Sequence, residues 1–167
     1  MIFENVSLAN KFVLVANITK DNSSRKCVLK FDPVINIQDW NKNQEWIYIF
    51  TIQNRIVKIG GSRTSLKNRT GSYLCGHYTS ERGGKDKMSE TNAYIYNTFD
   101  FYLSQGYKIN MMGYKIEPFE IVKNVFGKDV KIIAQTYHTY ESVALEKYRE
   151  ENGKYPFLSN NADPNYK

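Results

Sequence analysis

Apolar positions in this chain fall in short runs separated by polar turn clusters. Phe12 to Ile18 and Cys27 to Phe31 are two such runs, divided by Asp21-Asn22-Ser23-Ser24, and they predict a hairpin within residues 1–44. The strongest strand signal is Trp46-Ile47-Tyr48-Ile49-Phe50-Thr51-Ile52, rich in β-branched and aromatic side chains. It is followed, after Gln53-Asn54, by Arg55-Ile56-Val57-Lys58-Ile59-Gly60. Two antiparallel strands joined by a tight loop are expected here. The loop length sets which residues share a face. A two-residue loop alone pairs Ile52 with Arg55 and sets Tyr48 against Ile59, with Lys58 on the other face. An odd-length loop, or an equivalent bulge, pairs Phe50 with Lys58 and Tyr48 with Gly60, so that the phenol and the ammonium lie on one face and the glycine leaves room for a phosphate.

Helical spacing takes over afterwards. Ser62 or Thr64 can cap a helix whose inward positions are Leu66, Arg69, Thr70 and Tyr73, so an arginine lies among core positions. Residues 75–87 are polar, basic and glycine-bearing, the composition of a mobile loop. Ser89 or Thr91 opens an aromatic helix through about Leu103, closed by Gly106. Tyr107 to Val125 follows no clean period. Phe126-Gly127-Lys128-Asp129 reads as a turn into the strand Val130 to Ala134, and Thr139 caps a helix from Tyr140 to about Asn152, stopped by Gly153 and Pro156. On that last helix Glu141, Leu145 and Tyr148 share one face, which sets a carboxylate at the end of a core stripe. A buried acid needs a partner or a metal.

The elements describe one α+β domain over residues 1–167. A small, mainly antiparallel central sheet, built on strands 46–52, 55–60 and 130–136, is flanked by helices, with an N-terminal hairpin added. Of the residues, 14% are aromatic and 24% charged, which argues against disorder, and no apolar run approaches the roughly 20 residues of a spanning helix. Cys27 and Cys75 have no CxxC partner, so a disulfide framework and a thiolate zinc site are not indicated; a cytoplasmic protein is expected. The net charge of +6 favours an anionic partner.

These residues resemble the GIY-YIG endonucleases. The resemblance rests on Trp46-Ile47-Tyr48, then Lys58-Ile59-Gly60 with Ser62, then Leu66 and Arg69, then Glu141, and finally Pro156 to Asn160, in the family's order and spacing. It covers residues 46–74 and 130–161. Residues 1–44 form an N-terminal extension and 75–129 an insertion. Trp46 replaces the first glycine of the signature and Lys58 its second tyrosine. Lysine there is similar to the small type II restriction enzymes of the superfamily, as is the run from Tyr48 through Arg69 and Ser72-Tyr73 to Cys75-Gly76. The resemblance implies a nuclease-like fold and a prokaryotic or phage-encoded enzyme. It further implies site-specific cleavage of double-stranded DNA by a C2 homodimer, without a membrane role.

The chemistry fits independently. Phosphodiester hydrolysis needs an aligned water, a proton acceptor and compensation for growing negative charge. Tyr48 is the candidate base if cations lower its pKa, with Lys58 and Arg69 as those cations and Tyr73, one turn beyond Arg69, a further contact to phosphate or water. Glu141, a lone carboxylate, suits one Mg²⁺ per site, with Mn²⁺ as a substitute. Between Arg55 and Lys87 lie eight basic residues against two acids, and Arg63, Lys67, His77, Arg82, Lys85 and Lys87 are the expected DNA contacts. The inserted segment 75–129 would read bases. His77 and His138 have no partner at metal-ligand spacing. A nicking enzyme and a non-cleaving DNA-binding module are the rival readings.

Overall fold

The computed structural model describes residues 8–23, 28–74 and 90–162. At its centre is the predicted hairpin of β3 (Trp46–Ile52) and β4 (Arg55–Ser62). Gln53 and Asn54 form the loop, with φ of +48° and +69°, the left-handed pair of a tight hairpin turn. The two-residue loop therefore holds, but so does the register of the longer one. Ile52 pairs with Arg55 and Thr51 with Ile56, a bulge then leaves Val57 over, and beyond it Phe50 pairs with Lys58 and Tyr48 with Gly60. One surplus residue moves the rest of β4 to the opposite face pattern.

β1 (Val13–Lys20) and β2 (Leu29–Pro33) form the N-terminal hairpin, and β5 (Ile109–Lys115) completes an antiparallel sheet of order β2-β1-β5-β3-β4. β3 is buried at all seven positions because both its faces are covered, hence its apolar run, interrupted only by Thr51. On one face Tyr48, Phe50 and Met111 pack with Leu66, Tyr73, Ile95 and Phe99 from α2 (Leu66–Leu74) and α3 (Glu90–Ser104). A short helix, α1 (Ile37–Asn41), adds Trp40. On the other face Ile47, Ile49 and Ile59 meet Ala144, Leu145 and Tyr148 of α4 (Tyr137–Asn152). α3 ends at Gly106, φ +80°, and α4 at Gly153, φ +73°, as their sequences indicate.

The strand expected at 130–136 does not join this sheet. It is β7 (Lys128–Ala134), paired with β6 (Phe119–Val125) in a separate two-stranded hairpin. β5 takes its place, from the stretch without a clean period. Asn110 and Gly113 weaken its strand signal, but β1 and β3 pair with it on both sides and impose the conformation. Gly113 is required there: an added Cβ would lie 2.8 Å from Val15 Cγ1 and 3.2 Å from the Trp46 ring. Gly113→Ala is expected to destabilise the domain by about 1–3 kcal/mol through overpacking. The midpoint of urea denaturation checks this, and an unchanged midpoint would show that the sheet yields at no cost.

Candidate active site

The β3–β4 register stands Tyr48 directly over Gly60. An added Cβ at Gly60 would lie 2.4 Å from Tyr48 Oη, so the glycine makes room for the phenol itself, not for a phosphate as the sequence suggested. Tyr48 is fully buried. α2 then delivers two partners from one face. Its N-terminus is capped by Ser65, whose Oγ accepts from Asn68 N–H at 3.1 Å; Ser62 and Thr64, the expected caps, hydrogen-bond each other. Arg69 Nε donates to Tyr48 Oη at 2.8 Å and Arg69 Nη2 to Tyr73 Oη at 3.0 Å, while the two phenol oxygens lie 2.6 Å apart. One guanidinium thus closes a ring of hydrogen bonds with two buried phenols. Tyr48 itself lies in the interior, and half-buried Arg69 is the member of the ring that reaches the surface.

The rest of the site is built along the outer edge of β4, where backbone groups need partners. Ser159, in the turn Phe157–Ala162, accepts from Ile59 N–H and donates to Ile59 O, each at 3.2 Å. Lys58 Nζ donates to Leu158 O at 3.3 Å. Two residues on from Ile59, the Gly61 amide faces the carboxylate of Glu141 from the α4 side. A Cβ at Gly61 would stand 2.8 Å from Glu141 Oε2 and 2.6 Å from the Tyr137 ring. Adjacent glycines thus admit a phenol on one face of the sheet and a carboxylate on the other.

Burial and charge shape the protonation states. Burial pushes the Tyr48 phenol up, against the pull of Arg69, and pushes Tyr73 well up. Burial opposes the Arg69 charge, but Tyr48 and Tyr73 more than restore it. Lys58 is lowered to about 8, by burial first and then by Arg69, with Glu141 opposing. Glu141 is raised by burial, against Lys58 and Arg69. These influences link Glu141, Lys58, Arg69 and Tyr48 in one electrostatic unit. Among the described residues no three His, Cys, Asp or Glu side chains form a metal cage. A half-buried lone carboxylate beside fixed cations suits a Mg²⁺ whose other ligands are waters and phosphate oxygens.

Arg63 and Lys67 are exposed, next to the site in sequence; His77, Arg82, Lys85 and Lys87 lie outside the described residues. His138 stacks near Tyr137. Sequence reasoning missed Glu45. The helix bearing Glu141 starts at Tyr137, not after Thr139, and its cap comes from far away in the chain. Glu45 accepts from Thr136 N–H at 3.1 and 3.0 Å, from Thr136 Oγ1 at 3.1 Å and from Tyr137 N–H at 3.4 Å. Its negative charge also suits the positive end of α4.

Glu45→Ala should cost about 1–2 kcal/mol and speed amide exchange in the first turn of α4 while β3 stays protected. Unchanged exchange there would show that the helix start is fixed by packing alone. Lys58 yields a pH effect. Between about 8 and the ordinary lysine value of 10.5, the unfolded chain holds a proton that the native lysine has released, so unfolding takes up protons and stability rises with pH. The raised phenols act oppositely, but only from about pH 10 upward. Denaturation midpoints should therefore climb between pH about 8 and 10 in the wild type and stay flatter in Lys58→Met. Parallel curves would place the titration elsewhere.

No family model and no curated protein sequence matches this chain. Solved structures do. Restriction endonuclease HPY188I in complex with product DNA is similar with a TM-score of 0.59 and 25% identity, over 93% of this chain and 84% of that one. A mutant of bacteriophage T4 EndoII is similar with a TM-score of 0.57 and 19% identity, over 88% and 95%. The α+β fold, with its five-stranded, mainly antiparallel sheet flanked by helices, is thus a nuclease fold.

Proposed function

We propose that this protein is a DNA endonuclease that hydrolyses phosphodiester bonds. In finer terms it is a Mg²⁺-dependent, site-specific enzyme of the GIY-YIG superfamily, in its type II restriction branch, cutting both strands as a C2 homodimer. The observation that carries this reading is the meeting, at one glycine-lined strand edge, of the Glu141 carboxylate, the Lys58 ammonium and the Arg69–Tyr48–Tyr73 ring. The similarity to a restriction endonuclease held with product DNA supports DNA as the substrate.

Each task of hydrolysis then has a group. Tyr48 Oη is the acceptor for the water proton, Arg69 supplies the positive charge that stabilises its phenolate against the burial that raises its pKa, and Lys58 adds positive charge that acts on Glu141. Arg69 also faces the charge that grows on the phosphate, and Tyr73 holds the guanidinium and the phenol in register. Glu141 would hold Mg²⁺, which when bound supplies Lewis acidity at a phosphate oxygen and the leaving oxygen. The Gly61 amide fixes that carboxylate from behind. Arg63, Lys67 and the basic residues of the segment 75–89 track the backbone.

Supercoiled plasmid with Mg²⁺ should yield discrete linear fragments; nicked circles would favour the nicking enzyme, and no change the binding module. Glu141→Gln should abolish cleavage with folding and DNA binding retained, and residual activity above about a tenth of wild type would remove Glu141 from the metal's ligands. Arg69→Ala should lower turnover by about 10²–10³ with little loss of affinity. An equal loss in affinity would reduce Arg69 to a backbone contact.

A further inference from the structure

The β6–β7 hairpin leaves a large apolar surface uncovered. Phe119, Ile121, Val122, Phe126, Val130 and Ile133 are all exposed, on both faces of the ribbon. Their exposed surface comes to roughly 700 Å², above the largest apolar patch of a typical monomer. Two strands alone are marginally stable in water, and among the described residues this ribbon packs substantially only on itself. Its tip adds strain. Phe126 and Gly127 have φ of +51° and +83°, the left-handed pair of a two-residue turn, where asparagine is the favoured first residue and a bulky ring is an outlier. That ring is nonetheless fully exposed, so within one chain no packing offsets the conformation.

A receiving groove lies on the same chain. An apolar cavity of about 330 Å³ opens between α4, β5 and the turn before β1, with Phe12, Ile47, Tyr114 and Ala144 in its walls and Lys11 as its one charged residue. Tyr140 and Val143 also line it, and they are 44% and 60% exposed. The groove sits beside the root of the hairpin, since Tyr114 shortly precedes Phe119 and Thr139 shortly follows Ala134. Phe126 stands at the other end of a ribbon about 23 Å long, at roughly 3.3 Å per residue, and does not fill the groove of its own chain. A second copy related by a twofold axis supplies it, each tip entering the other's groove, and the contact closes on itself. Arm and groove together offer roughly 800 Å² per chain, the amount a stable interface buries. Duplex DNA suits the ribbon less well. Lys123, Lys128 and Lys131 stand against Glu120 and Asp129, Lys131 is already paired to Glu120, and the apolar side chains have no counterpart in a phosphate backbone. We propose that the β6–β7 hairpin is a dimerisation arm whose tip, Phe126, seats against Tyr140 and Val143 of a second copy of this chain, which returns the same contact. The inference rests on the homodimeric nuclease reading above and gives that dimer its surface.

Sedimentation velocity on the full chain without DNA or metal tests this. The wild type should sediment at twice the 19.5 kDa of one chain. Phe126→Asn, which suits the turn better than the native ring, and Val143→Lys, on the other half of the contact, should each weaken the dimer about thirtyfold. Both side chains are exposed, so far-UV circular dichroism should not change. Phe101→Ser, at an exposed position of α3 away from arm and groove, should leave the dimer as it is. A monomeric wild type would overturn the arm, as would a dimer indifferent to both Phe126→Asn and Val143→Lys. Undiminished dimers of Phe126→Asn with weakened binding to duplex DNA would make the ribbon a DNA contact instead. Plasmid cleavage by the wild type separates this inference from the reading it rests on. A monomer that cuts plasmid loses the arm and keeps the nuclease, whereas a dimer broken by Phe126→Asn that leaves plasmid intact keeps the arm and loses the nuclease.

Discussion

The site depends on one surplus residue in β4. With Gln53 and Asn54 closing a tight turn, strict pairing would set Tyr48 against Ile59 and turn Lys58 away from it. The bulge at Val57 moves everything beyond it by one position, and Tyr48 then faces Gly60. The phenol fits there because no Cβ is present, and the next residue, Gly61, offers the same relief to Glu141 on the opposite face. A central sheet normally keeps its two faces apart. Here the outermost strand loses its side chains at two successive positions, and groups from both layers of helix come within electrostatic reach of one another.

Positioning and charge reinforce that geometry. α2 enters on a serine cap and projects Arg69 and Tyr73 one turn apart, so a single guanidinium satisfies two buried hydroxyls that would otherwise be costly to desolvate. α4 is held at its start by Glu45, from the loop that leads into β3, and the backbone of Glu45 also accepts from Ile116 N–H just past β5. The helix bearing the carboxylate is therefore tied to the strand bearing the phenol. Burial works against this assembly, since it favours a neutral Tyr48 and a neutral Lys58 and raises Glu141. An anionic ligand or a cation entering the site acts directly on those balances.

Much of this was legible in the residues themselves. The β3 run, the helical spacing of Leu66, Arg69, Thr70 and Tyr73, and the odd carboxylate on the face of Leu145 and Tyr148 are local signals, and local signals survive folding. The register was legible only as a condition, because the sequence does not distinguish a three-residue loop from a two-residue loop with a bulge. β5 was not legible: Asn110 and Gly113 suppress its strand pattern, and its place in the sheet comes from neighbours remote in sequence. Val130 to Ala134 has a better strand pattern yet lies outside the main sheet. Glu45 gave no signal, since it caps a helix that starts ninety-odd residues later and only the fold brings the two together.

The β6–β7 hairpin has a consequence for how this protein can change. Among the described residues its strands pack substantially only on each other, with Glu120 paired to Lys131 and Asn124 to Asp129 inside the hairpin. Val122, Phe126 and Ile133 project into solvent. Substitutions on such a module share few neighbours with the sheet, so their energetic effects should add to those in the core without coupling. The hairpin can therefore drift in sequence, or be exchanged for another, while the register around Val57 stays intact. Conservatism of the catalytic scaffold and novelty at its periphery are compatible in one small chain.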